Sequence, residues 1–360
     1  MKSFIPYSLI AAALSCGFAS AQTPTTAYTT PVGYTSVTCL NASDTRVGTP
    51  LKAPTVAAAA LTATPTNVLT VAGAAFGTYA GNHYVKFTSG AAIGKVYAIT
   101  ANDATTITID LAGDTQLAVS GDTFSVTAFW TLATLFDPAL STNDPLTTGN
   151  AIVSSAGATA ATRRTEILLP DTVTAGINLA SSASYYINAG IWKKAGSGAT
   201  NFNAQQLWPD TSFIIRHPAT VTSPTSYVCT GEVDMKSIVI PLATRVGGAT
   251  EKQDNAQALN RPVNVTLNQL NLGGTSAFVS STGATAATRR DELLVYDNAT
   301  AAINKSSSAT YYFRGAIWQK AGGGVTDVGN DVIPAGAGIL IRKYGTAGGE
   351  TAFWLNTPTY

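Results

Sequence analysis

Apolar residues along this chain fall in short runs, and where they alternate with other positions they do so with a period of two. Tyr185, Ile187, Ala189 and Ile191 alternate with Tyr186, Asn188, Gly190 and Trp192, the spacing of a strand with one buried face. Ile167-Leu168-Leu169, Phe213-Ile214-Ile215 and Ala352-Phe353-Trp354-Leu355 are further short runs bounded by Gly, Pro, Asp or Thr. No long stretch carries a sustained 3.6-residue stripe, and Gly157 with two threonines weakens the Ala-rich segment 156–162 as a helix. The pattern predicts an all-β chain. Within residues 55–127, predicted strands at 68–71, 84–87, 95–99, 106–109 and 123–126 are separated by Ser89-Gly90, Asn102-Asp103, Gly113-Asp114 and Gly121-Asp122. That succession suits a small antiparallel barrel or sandwich.

The chain also repeats itself. Residues 153–198 match 279–324 at a constant offset of 126, and Gly157-Ala158-Thr159-Ala160-Ala161-Thr162-Arg163-Arg164 recurs unchanged at 283–290. Glu166/Glu292, Ile177-Asn178/Ile303-Asn304, Tyr185-Tyr186/Tyr311-Tyr312, Ile191-Trp192/Ile317-Trp318 and Ile215-Arg216/Ile341-Arg342 continue the match. A period this long means domain-sized copies rather than a solenoid. The expected architecture is therefore a pair of tandem, duplicated β-sandwich-like domains with an additional small β-barrel or β-sandwich module near the N-terminus. The expected divisions are a signal peptide at 1–21, strands at 22–54 packing on the first repeat, the module at 55–127, and repeats at 128–236 and 237–360. The likeness of Leu132-Ala133-Thr134 to Leu242-Ala243-Thr244 suggests that each repeat starts there, with the module before or inside the first.

Composition narrows the function classes. Lys and Arg total 21 against 20 Asp and Glu, and only 11% of residues are charged, so no basic face for nucleic acid is expected. The 45% hydrophobic content argues against disorder. Lys2, the apolar stretch 4–18 and Ala19-Ser20-Ala21 read as a secretory signal, too short for a membrane helix, and predict an exported protein, extracellular, at the cell surface or periplasmic. No integral membrane span is expected elsewhere. Cys39 and Cys229 remain once the signal is removed. In an oxidising compartment they form a disulfide under one reading, and two buried thiols under the other, which the alignment of Cys229 with Leu355 supports.

Pro31-Val32-Gly33-Tyr34, Asp44-Thr45-x-Val47-Gly48-x-Pro50-Leu51, the paired Arg-Arg-x-Glu strands, the segment Asp327-Val328-Gly329-x-Asp331-Val332-Ile333-Pro334-Ala335-Gly336 and the ending Phe353-Trp354-x-Asn356-Thr357-Pro358 resemble a paralogous family of secreted proteins of unknown function from verrucomicrobial bacteria. The similarity runs over most of the chain beyond the signal. It implies export and internal duplication, and it brings no catalytic residues.

Arg163, Arg164 and Glu166, with their copies Arg289, Arg290 and Glu292, are the densest charge clusters. As strand residues they would set Arg164 and Glu166 on one face, and they read either as an anion or uronate clamp, or as a local ion pair or a charged contact that packs the repeats. Trp192 with Tyr186 and Lys194, and Trp318 with Tyr312 and Lys320, read as a ligand platform able to stack on sugar, or as packing beneath a loop or neighbouring domain. Asp327, Asn330 and Asp331 lack the spacing of a Ca²⁺ loop and read as a turn, so no metal and no cofactor are expected. Two histidines, His83 and His217, the latter aligned with Lys343 and expected to be an exposed strand-end residue, assemble no hydrolytic site. The expectation is a non-catalytic structural or adhesion protein whose partners are other surface proteins or copies of itself. A polysaccharide binder is the alternative, and an outer-membrane β-barrel a lesser one.

Overall fold

Strand-forming residues pair here into several small antiparallel sheets rather than one large one. The computed structural model describes residues 30–140, 151–248 and 250–360, and the predicted signal at 1–21 lies outside them. Residues 31–360 form one compact unit. Its order is β1 (Val32–Cys39), β2 (Ser43–Val47), β3 (Thr55–Ala60), β4 (Val68–Thr70), β5 (His83–Phe87), β6 (Val96–Asn102), β7 (Thr106–Ile109), β8 (Thr123–Ala128) and β9 (Trp130–Thr131). The short helix α1 (Leu132–Leu135) leads to β10 (Glu166–Leu169), β11 (Ala183–Asn188), β12 (Ile191–Lys194), β13 (Gln206–Leu207), β14 (Phe213–His217) and β15 (Thr225–Glu232). Then come β16 (Ile238–Leu242), β17 (Gln253–Ala258), β18 (Val265–Thr266), β19 (Glu292–Val295), β20 (Ala309–Arg314), β21 (Ile317–Lys320), β22 (Val332–Ile333), β23 (Gly338–Lys343) and β24 (Ala352–Asn356). The fold is all-β.

Two halves show the same wiring. One five-stranded sheet runs β12-β11-β10-β14-β2 and the other β21-β20-β19-β23-β17. In each, one face packs on a two-stranded ladder, β1–β15 in the first half and β16–β24 in the second. Ile167, Ile187, Trp192, Phe213, Ile215 and Tyr227 fill the first core, and Leu293, Trp318, Ile339, Ile341, Ile240 and Trp354 the second. Each half is thus a two-layer sandwich, the arrangement that buries one face of each sheet.

The module at 55–127 lies between β2 and β9, inside the first half. Its six strands run β3-β8-β5-β6-β7-β4, and the sheet curls until the Thr62 amide, just past β3, donates to the Thr70 carbonyl on β4 at 2.9 Å. Leu69, Val85, Phe87, Ile107, Phe124 and Val126 fill it. Because β1 and β2 complete the first sandwich, that half begins at β1 and not at Leu132. The pairings Trp130↔Leu207 and Val265↔Ile333 make Leu132 the counterpart of Leu267, so its likeness to the Leu242 segment is not a structural equivalence.

Three sequence expectations are corrected by the strand geometry. Residues 185–192 are not one strand but a hairpin. Ala189 and Gly190 both take positive φ (55° and 73°), as do Gly315 and Ala316 (59° and 67°), the conformation of a two-residue hairpin turn. The reversal sets Trp192 opposite Ile187 and Trp318 opposite Phe313, on the core side. The cysteines are free: Cys39 pairs with Thr225 and Cys229 with Thr35 on one ladder, four positions apart and so about 13 Å along it, beyond disulfide reach. Leu355 is 45% exposed while Cys229 is buried, so the alignment slips by one residue in the last strand, and Asn356 occupies the inward position.

Candidate functional site

The faces of the two five-stranded sheets that turn away from their cores line a shared cleft of about 960 Å³. Strand alternation dictates what they present. Across the first sheet, Arg46, Ile214, Leu168 and Ser184 stand in one row, and Ala256, Leu340, Leu294 and Thr310 form the matching row of the second. Two residues along each strand lie the charged rows, Asp44-Arg216-Glu166 and Asp254-Arg342-Glu292.

These rows build reciprocal clamps. Arg216 grips Asp44 with Nε and Nη2, both at 2.7 Å, and Nη2 reaches Oδ1 of Asn304 in the other half at 2.6 Å. Arg342 grips Asp254 at 2.7 and 3.0 Å and reaches Oδ1 of Asn178 in the first half at 2.9 Å. Each asparagine returns its own amide to the carboxylate, Asn304 N to Asp44 at 2.8 Å and Asn178 N to Asp254 at 2.7 Å. Both sit at positive φ (54° and 55°), a conformation asparagine tolerates better than most residues. Main-chain bonds repeat the exchange: Asp44 N to Ala302 O, and Asp254 N to Gly176 O, each 2.9 Å. The contact is isologous in the manner of a two-fold dimer, here within one chain. Near the pseudo-dyad Gly48 meets Ala258 so closely that a Cβ on Gly48 would stand 2.3 Å from the alanine methyl.

Of the two structural readings of the charge cluster, the geometry matches the local ion pair and not a contact between repeats. Arg163 and Arg164 precede the strand rather than lie on it. A turn closed by Arg163 N to Thr159 O (3.0 Å) brings the Arg163 Nε to Glu166 Oε1 at 2.7 Å, and Arg289 meets Glu292 in the same way at 2.6 Å. Each guanidinium covers a tyrosine ring, Tyr186 at 5.6 Å and Tyr312 at 5.7 Å. Arg290 lies over Tyr344, and Arg164 and Arg290 dock through their amides on Ser155 and Ser281. Lys252 also pairs with Glu292 at 2.9 Å. Burial opposes the Glu292 charge, but Lys252 and Arg289 outweigh it and hold the carboxylate below its usual range.

The ligand platform is overturned. Trp192 and Trp318 are 0% and 1% exposed, and Tyr186 and Tyr312 are buried with them, so none offers a free ring face. The indole of Trp192 donates to Phe136 O at 3.0 Å. Lys194 and Lys320, opposite Tyr185 and Tyr311, are half-buried. His217 is also corrected: it is fully buried between Thr165 (Nδ1, 3.0 Å) and Thr225 (Nε2, 2.8 Å), and burial pulls its pKa down to about 4. In the second half a buried Lys343–Asp291 ion pair takes the same place. Asp327 accepts from Gly329 N at 2.8 Å in a turn, and Asp331 accepts from the Tyr311 hydroxyl at 2.9 Å. Among the described residues no group of His, Cys, Asp and Glu is arranged to hold a metal ion.

The cleft departs from two-fold symmetry on one side. Arg46 stands where the second half has Ala256, Tyr296 where the first has Pro170, and Lys305 where the first has Leu179. The Arg46 guanidinium lies 4.3 Å from the Tyr296 ring centre, and its main chain exchanges two 3.0 Å bonds with the Asn298 side chain. Lys305 Nζ donates to Asp297 O at 3.0 Å. Neither cation joins an ion pair among the described residues, and burial lowers the pKa of both. Compared with family models, curated proteins and solved structures, the chain matches none.

Proposed function

We propose that this chain is an exported, non-catalytic structural or adhesion protein that works through its sheet surfaces. The observation that carries the reading is the outer face of the β1–β15 ladder. Val32, Tyr34, Ser36 and Thr38 alternate outward beside Ser226, Val228 and Thr230, and Val32 and Tyr34 are 77% and 71% exposed. Such a hydroxylated surface with an aromatic and two valines can meet another sheet or a polymer without a pocket. On β24, Phe353 and Leu355 likewise face outward.

The state of the carboxylates supports the non-catalytic part. Of the carboxylates that line the cleft, Asp44, Asp254 and Glu292 are each held by Arg or Lys, and Asp171 accepts the Val173 and Thr174 amides in an exposed turn, so no pair is arranged for proton transfer. The shared wiring of the halves and the sequence match of 153–198 with 279–324 at an offset of 126 support an origin by duplication. The leader-like N-terminus and the resemblance to secreted verrucomicrobial proteins support export. Among the described residues no helix is long and apolar enough to cross a membrane. The described strands form sheets of two to six strands, below the eight a transmembrane barrel requires.

The test is to add purified protein to washed cells of the source organism and measure retention. A Tyr34→Ser, Val228→Ser variant with unchanged circular dichroism should lose most retention. Equal retention of the variant, or none by the wild type, would refute the reading.

A further inference from the structure

We propose that the cleft between the two five-stranded sheets binds an anionic sugar, carboxylate or sulfate on a pyranose ring, with Arg46 as the residue that recognises the charge. Every other arginine or lysine that faces the cleft from the sheets is committed. Arg216 and Arg342 are spent on the clamps, and Lys252 and Arg289 on Glu292. Arg46 is the exception: one face is laid on Tyr296 and no carboxylate lies within ion-pair distance among the described residues. A partly buried guanidinium without a counter-ion is costly, and symmetry shows that the fold does not need one, because Ala256 fills the equivalent position. A planar fork held flat by an aromatic ring is well prepared to receive an oxyanion. Lys305, on the loop that crosses β2, adds a second unpaired cation to the same cleft.

The shape of the cleft selects the body that carries the charge. At about 960 Å³ it is far larger than an inorganic anion and within the size of sites for ligands of several rings. Its floor of Ile214, Leu168, Leu294 and Leu340 suits the C–H faces of sugars, and Ser181 and Ser306 offer hydroxyls. The walls are sheet faces whose main-chain groups are already paired, so an extended peptide finds no strand edge to join.

Calorimetry on the full chain should use tetragalacturonate, a sulfated galactan tetrasaccharide, the neutral galactose tetramer and tetraglutamate as probes. Binding of either anionic sugar, at least tenfold tighter than the neutral tetramer and weakened by salt, is expected. Arg46→Ala should weaken it at least tenfold and Lys305→Gln severalfold, with the two anionic probes showing whether carboxylate or sulfate is preferred. The proposal is overturned if neither anionic sugar binds, if tetraglutamate binds as well, or if Arg46→Ala, folded by circular dichroism, binds like the wild type. Should Arg46→Ala fail to fold, the Lys305→Gln result decides, and unchanged affinity overturns the proposal.

Discussion

Lowering the pH should destabilise this protein through a single imidazole. His217 is enclosed by Thr165 and Thr225, and burial brings its pKa from the ordinary 6.5 to about 4. Above pH 6.5 neither the folded nor the unfolded chain protonates the ring, and the buried neutral histidine costs nothing. Between pH 6.5 and 4 the unfolded chain takes up a proton that the folded chain refuses, so stability falls as pH falls. Over those two and a half units the loss is about 3 kcal/mol, a large part of the roughly 5–15 kcal/mol that holds a domain folded. Other groups also titrate there, so the readout is a difference: denaturant unfolding of wild type minus that of His217→Gln, from pH 7.5 to 4. That difference should be flat above 6.5 and shrink by about 3 kcal/mol below it. The chain has only two histidines, which makes the ring directly visible by NMR. Titration of the His217 imidazole near 6.5 in the folded protein, or a difference independent of pH, would refute the reasoning.

Other consequences are as concrete. Trp192→Ala and Trp318→Ala should each cost about 3–5 kcal/mol in denaturant unfolding, because each removes a buried indole from a core, and a loss below 1 kcal/mol would contradict their placement. Cys39 and Cys229 should resist a thiol reagent until the protein unfolds, since burial pushes Cys39 up to about 11 and raises Cys229 as well. A melting temperature lowered by reductant would instead reveal a bridge. Ala189→Asn creates the Asn-Gly pair this hairpin turn favours and should raise stability by up to about 1 kcal/mol, whereas a loss would mean that the turn is misassigned.

The strand content was legible because period-two runs and turn residues mark strands directly, and the module strands fall within a few residues of their predicted positions. The hairpins were not. Ala189-Gly190 and Gly315-Ala316 are weak turn signals, so the period-two alternation runs through them unbroken and points both tryptophans outward, whereas the turn reverses the chain and points them into the core. The clamps were half visible. Asn178/Asn304 and Arg216/Arg342 stood out as repeated pairs, but their partners Asp44 and Asp254 are 210 residues apart, not 126, because the module is inserted between β2 and β9. The His217 position hid for another reason. Its counterpart Lys343 suggests an exposed residue, yet each is buried with its own local partner, Thr165 in one half and Asp291 in the other.

Hydrogen exchange on an Asn178→Ala, Asn304→Ala variant tests most directly whether the halves are held as one body by reciprocal clamps. Faster exchange should appear in β2 and β17 together, at the amides of Asp44 and Asp254 above all, with β3–β8 unchanged. Protection in β2 and β17 equal to that of the wild type would contradict it.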